Sequence, residues 1–291
     1  MKDHFYRKKN SKELLFIVCF IVFCSSISFS IDYNSPEFSE NYKFTFQTVK
    51  NDFCYIMSSP VRISKKDRLN LLIFSGITAG LIFHFDEKIY DNSKTRKDEF
   101  PYIIFNKFSE IGKGYGSSEM NVYYLFGGLC SSIAASGLLL KDDKLLETSG
   151  LLAESFVFTL FISGSLKMIC GRERPYNENE STDFHFFAFS SDMAYRSMPS
   201  MHTSCTFAMM TVIAKQYNYW WIKIPAYTFA FGVAIQRIDN KQHWTSDVLV
   251  GGIIGYSIAN SLVKKHNQND SYKFTLGTFL SANSIGISLT F

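Results

Sequence analysis

Apolar residues gather in six runs along the chain, at 69–85, 120–140, 148–166, 202–214, 220–236 and 247–263, and the segments between them hold most of the charge. A helix needs at least about 17 such residues to cross a hydrocarbon layer, and the runs bracket that length. They predict an all-α fold, a membrane-embedded six-helix bundle, in which the short 202–214 run suits a helix buried inside the bundle. Glu154, Lys223 and Asp247 fall within the runs. Ionisable groups at such depth face the protein interior or a water-filled cavity. Paired glycines at 127–128 and 251–252 allow neighbouring helices to approach closely.

The bundle occupies 65–264. Residues 1–30 have the build of a signal peptide or membrane anchor, with Lys2, Arg7, Lys8, Lys9 and Lys12 ahead of an apolar run from Leu14 to Cys24 and serines after it. Residues 31–64 form an extramembrane or interfacial segment. In the tail, 265–291, apolar residues alternate loosely around Gly277 and Gly286, the signature of a short hairpin.

Loop charge orients the bundle. Arg62, Lys65, Lys66 and Arg68 precede the first run, Lys141 and Lys144 follow the second, Lys215 and Lys223 flank the fourth-to-fifth turn, and Lys264 and Lys265 follow the sixth. If the helices alternate, all four clusters share the inner side. The ends of helices three and five and the starts of four and six then share the outer side. A cleaved signal leaves residue 31 outside although the first helix starts inside, so either 40–60 dips into the membrane or the bundle does not fully span.

Composition narrows the function. Aromatics make up 16% and charged residues only 19%, below the roughly 25% of a soluble domain, yet mean hydropathy is close to zero, so much of the chain lies outside the bilayer. The net charge of +4 comes without a long basic run, which argues against nucleic acid as a partner. Cys54, Cys130, Cys170 and Cys205 show no CxxC spacing, so no zinc site is expected from them.

Three short motifs carry chemistry. Lys167 and Arg174 are seven residues apart, nearly two helical turns, so their cations share a face before Pro175 ends the helix. Pro199-Ser200-Met201-His202 opens the fourth helix, where a Ser N-cap and free backbone N–H groups suit an anion. Arg237, His243 and Asp247 follow, and the four-residue spacing of the last two lets the carboxylate orient an imidazole. Three such motifs in order arise by chance with probability on the order of 10⁻⁵. The topology derived from hydropathy and loop charge places all three at the same outer end.

The set KxxxxxxRP, PSxH and RxxxxxHxxxD over about 65–264 resembles the type 2 phosphatidate phosphatase superfamily, which includes bacterial acid phosphatases and vanadium haloperoxidases. The resemblance implies that Lys167, Arg174, Ser200, Arg237 and the Met201 backbone bind phosphate, that His243 becomes phosphohistidine with Asp247 orienting it, and that His202 protonates the leaving oxygen. Met201 replaces the usual Gly and Gln236 the usual Ser. The activity implied is a phosphatase with no cofactor and no metal at the site, acting on a lipid phosphate or pyrophosphate at the periplasmic face of a bacterial inner membrane. A soluble or peripheral periplasmic acid phosphatase is the alternative, and a haloperoxidase a more distant one. His84, His185, Arg172, Arg196 and Tyr176 are read as packed or solvated. The loop at 176–198, with Phe184, Phe186, Phe187 and Phe189, is read as packing on the bundle.

Overall fold

A computed structural model describes residues 46–59, 64–96, 98–116, 121–187, 189, 192–271, 275–281 and 284–290. The signal or anchor at 1–30, most of the segment 31–64 and Arg62 lie outside the described residues. The helices are α1 (Phe46–Met57), α2 (Lys65–Gly80), α3 (Asp86–Thr95), α4 (Tyr102–Gly116), α5 (Asn121–Leu140), α6 (Asp143–Cys170), α7 (Met201–Gln216), α8 (Trp220–Asp239) and α9 (Thr245–Ser271). A π turn, Leu81–Phe85, joins α2 to α3 without a break. Thr275–Ser281 and Ser284–Thr290 pair as an antiparallel hairpin, β1 and β2, with Thr275 opposite Thr290.

Among the described residues, four helical stretches are long and apolar enough to cross a membrane: Lys65–Ser93, Asn121–Leu140, Asp143–Cys170 and Thr245–Asn267. On α2, Leu69, Leu71, Leu72, Ile73 and Ile77 point outward. An apolar exterior of this kind belongs to a membrane protein, and the fold is all-α as the six runs predict. Cys205, Ala208, Met209 and Val212 of α7 are fully buried among α6, α8 and α9. Phe126 of α5 stacks on Phe156 of α6 at 3.9 Å.

The bundle holds more than the six core helices expected. α1 and α4 arise where the sequence shows no long apolar run, and α4 explains why. Its buried positions are Ser109 and Gly112, while Ile103, Ile104, Phe105, Phe108 and Ile111 are exposed. A helix whose small residues pack inward and whose apolar residues face outward reverses the usual amphipathic signal. A Cβ on Gly112 would come within 2.6 Å of the Gly232 carbonyl oxygen of α8, so contact depends on the missing side chains. Ser109 Oγ donates to Asp239 Oδ2 at 2.9 Å.

Gly251 and Gly255 seat α9 directly on α7: a Cβ on Gly255 would fall 1.9 Å from the Ser204 carbonyl oxygen. Gly127 and Gly128, by contrast, have no atom within 4 Å of a built Cβ, so this pair marks no close helix contact. Glu154 and Asp247 are buried as expected, and Lys223 is half-buried.

Candidate active site

Helix ends assemble the site. Asp142 starts α6 by accepting from Lys144 N and Leu145 N, and Gly171 stops it in the left-handed region at φ 56°. A Cβ there would meet the His185 carbonyl oxygen at 2.1 Å, so only glycine lets the following chain turn back over the bundle. That turn carries Arg172 and Arg174 to the C-terminal end of α6, beside the N-termini of α7 and α9. The Ser200 N–H donates to the Asp247 carbonyl oxygen at 3.0 Å, which locks the last two together.

Lys167 is buried and donates from Nζ to the carbonyl oxygens of Arg196 (2.6 Å) and Ser197 (3.0 Å). Arg174 donates from Nη1 to Gln242 Oε1 at 2.7 Å. Arg237 is 3% exposed at the end of α8. Ser200 occupies the N-cap position of α7, but its side chain makes no capping bond; its oxygen instead accepts from Thr203 Oγ1 at 3.0 Å. The serine side chain thus caps none of the first-turn N–H groups of α7. His202 is buried in that same turn. Met201 directs its terminal methyl toward Gly164 of α6, and Gln236 lies against Gly112 of α4. Both departures from the family pattern are thus spent on helix packing.

His243 is 2% exposed, with Nδ1 3.7 Å from Asp247 Oδ2. That separation is longer than a hydrogen bond and closes with a small shift, as unliganded catalytic pairs often require. Burial holds the imidazole well below its ordinary pKa of 6.5; Asp247 opposes the shift, and the cations of Lys167, Arg174 and Arg237 reinforce it. The ring is therefore neutral near pH 7 and its far nitrogen, Nε2, carries a lone pair.

Arg172, set aside as packed or solvated, is fully buried and fixes this geometry. Its Nη1 donates to Asp247 Oδ1 and Ser246 Oγ, both at 2.6 Å, and its Nη2 to Asp86 Oδ2 at 2.9 Å. Ser197 Oγ (2.5 Å) and Trp244 N (2.9 Å) donate to Asp247 Oδ2. Asp86 also receives Ser246 N at 3.0 Å. It sits just after the π turn, a local rewinding that often marks functional positions. The only sequence signal for Arg172 was its place two residues before Arg174; Asp86 and Ser197 gave none. Arg196 stands within electrostatic reach of Lys167. Tyr176 lies under Arg174 at 5.9 Å, His185 is 3.4 Å from Glu173, and His84 is exposed. Phe186, Phe187 and Phe189 are 59–64% exposed, so these rings face outward instead of packing on the bundle, although the Phe187 N–H donates to the Ile169 carbonyl oxygen at 2.8 Å.

Lys167, Arg174 and Arg237 thus gather around the carboxylate-paired His243 beside the N-termini of α7 and α9 in a membrane helical bundle. Residues 149–271 match the model of the PAP2 superfamily. A lipid A 1-phosphatase from Porphyromonas gingivalis is 32% identical over 105 residues, covering 33% of this chain and 24% of that protein. The chain thus spans about a quarter of the length of this curated relative. Two crystal structures are similar at a TM-score of 0.43: Aquifex aeolicus LpxE, at 20% identity over 63% of this chain and 96% of that one, and a PAP2 type phosphatidylglycerolphosphate phosphatase from Bacillus subtilis, at 18% identity over 68% and 94%.

Proposed function

We propose that this protein is a phosphatase that removes phosphate from a lipid phosphate or lipid pyrophosphate through a phosphohistidine at His243. The observation that carries the reading is the buried neutral imidazole facing Asp247 amid Lys167, Arg174 and Arg237. Phosphoryl transfer demands charge around the equatorial oxygens and a positioned nucleophile, and these side chains with the α7 N-terminus supply both without a metal at the site.

His243 Nε2 attacks phosphorus and the bond from phosphorus to the leaving oxygen breaks. His202 gives that oxygen its proton. Asp247, held by Arg172, Ser197 and the Trp244 N–H, stabilises the positive charge developing on the imidazole. Water then attacks the phosphohistidine, His202 takes its proton, and inorganic phosphate leaves with His243 restored. The Met201 N–H and Ser200 line the anion site.

The lipid substrate is supported by the four membrane-length helices and by the name of the Porphyromonas gingivalis relative. Exposed Phe186, Phe187 and Phe189 flank the pocket, whereas Tyr219, Trp220 and Trp221 are exposed at the opposite end, an arrangement suited to the two interfaces of a bilayer. The basic ends of α2, α6 and α9 lie away from the pocket, which supports a periplasmic orientation. Packing of α1 beside α6 and α9 supports the reading in which 40–60 dips into the membrane.

The test is phosphate release by detergent-purified protein during brief assays in EDTA, comparing a short-chain lipid phosphate, a polyprenyl diphosphate and p-nitrophenyl phosphate. Lipid-selective release that disappears in His243→Ala is expected. Equal turnover of the soluble ester would favour the acid phosphatase, and no release from any substrate would refute the reading.

A further inference from the structure

At the end of the bundle remote from the pocket, a second buried cluster takes no part in the chemistry above. Asp52 of α1, Glu154 of α6 and His266 of α9 each bring a ligand atom within 4.8 Å of the others. They are 1%, 5% and 8% exposed. His266 Nε2 lies 2.8 Å from Asp52 Oδ2, and its Nδ1 faces Glu147 Oε1 at 3.9 Å. Lys265 Nζ donates to Asp52 Oδ1. Among the described residues, neither oxygen of Glu154 has a hydrogen-bond donor; the group it faces is the Asp52 carboxylate.

Charge counting sharpens the anomaly. When ionised, Asp52 and Glu154 bring two negative charges together, and the Lys265 ammonium contacts Asp52 rather than Glu154. Buried carboxylates do not persist uncompensated. A proton shared between the two carboxyls or a cation would relieve this, and the convergence of the three ligand atoms favours the cation. At 2.8 Å the Nε2–H of His266 donates to Asp52 Oδ2, and a cation seated between them would take the place of that proton, with Nδ1 turned toward Glu147. Lone pairs of three groups then converge on one point, while Glu147 and Lys265 stand where outer partners of a metal ligand belong.

We propose that Asp52, Glu154 and His266 bind a first-row divalent transition-metal cation that ties α1 to α6 and α9. One imidazole and two carboxylates suit Zn²⁺ or Mn²⁺ better than the all-oxygen preference of Mg²⁺ or Ca²⁺. Thirteen residues of α6 separate Glu154 from Lys167, roughly 20 Å at 1.5 Å per residue, so the ion is a structural clamp outside the phosphate pocket. The donors lie more than 100 residues apart in the chain, which is why no local spacing announces them.

The experiment uses full-length protein in detergent, stripped by chelator and titrated with Zn²⁺ and Mn²⁺, reading bound metal per chain and thermal unfolding. About one ion per chain and a rise of several degrees in Tm are expected for one of the metals. Glu154→Gln and His266→Gln should weaken binding by about 100-fold, and His243→Ala should leave it unchanged. Should the cluster variants fail to fold, the wild-type titration decides alone. Well under one bound ion with an unmoved Tm for both metals overturns the proposal in favour of a proton shared by the carboxyls, and so does binding that survives both variants.

Discussion

The two ends of the bundle bury charge in opposite ways. Around His243, each oxygen of Asp247 accepts from named donors, Asp86 is bridged to it by Arg172, and Lys167, Arg174 and Arg237 stand close to the imidazole. Around Glu154, the facing group is the Asp52 carboxylate, and Lys265 and His266 contact Asp52 rather than Glu154. Buried charge of one sign suits a partner of the other sign, which on the proposed reading is an oxoanion at one end and a cation at the other. The contrast also shows what each end contributes. The anion site is built from helix termini, where N–H groups and turning chain give access to substrate, whereas the cation site is built from helix interiors, which favours a permanent staple.

The strongest way to break the comparison is to remove the nucleophile. His243→Ala should lower kcat by about 10⁴-fold while leaving Tm nearly unchanged, measured by phosphate release and thermal unfolding. Arg172→Ala comes next, because it strands Asp86 and Asp247 without their cation; a loss of about 3–5 kcal/mol in stability is expected, seen as a large fall in Tm. Gly255→Ala forces α9 off the Ser204 carbonyl and should cost about 3 kcal/mol, with activity falling in parallel because α7 and α9 carry Ser200 and Asp247.

Acid should distinguish the ends more gently. Unfolded His243 takes up its proton near pH 6.5, whereas the folded imidazole resists it, so the stability it contributes is complete above about 6.5 and is lost as pH falls below. Wild-type stability should drop by up to about 1.4 kcal/mol per pH unit in that window, and His243→Asn should remove this part of the slope in a Tm-against-pH series. Smallest of all, Met201→Gly should change kcat/KM by no more than about threefold, since its methyl points to α6 and its N–H is retained.

Much of the pocket was legible because its parts sit at helix ends with short, fixed spacings. Lys167 and Arg174, Ser200 and His202, and His243 and Asp247 each lie within a few turns of one another, and hydropathy alone set α6 to α9 in order. Arg172 was not legible as a positioning residue, since its role depends on Asp86, distant in sequence and displaced by a π turn. Nor was α4, whose Ser109 and Gly112 pack inward while its isoleucines face out. Asp52, Glu154 and His266 come from three separate helices, so only tertiary packing reveals them.

The most direct test of the central claim is to quench the enzyme during turnover of a lipid phosphate labelled with ³²P and to locate the label by mass spectrometry. The account predicts an acid-labile, alkali-stable phosphoryl group on His243, absent in His243→Ala. Turnover with no covalent label, or with label on another residue, would contradict it.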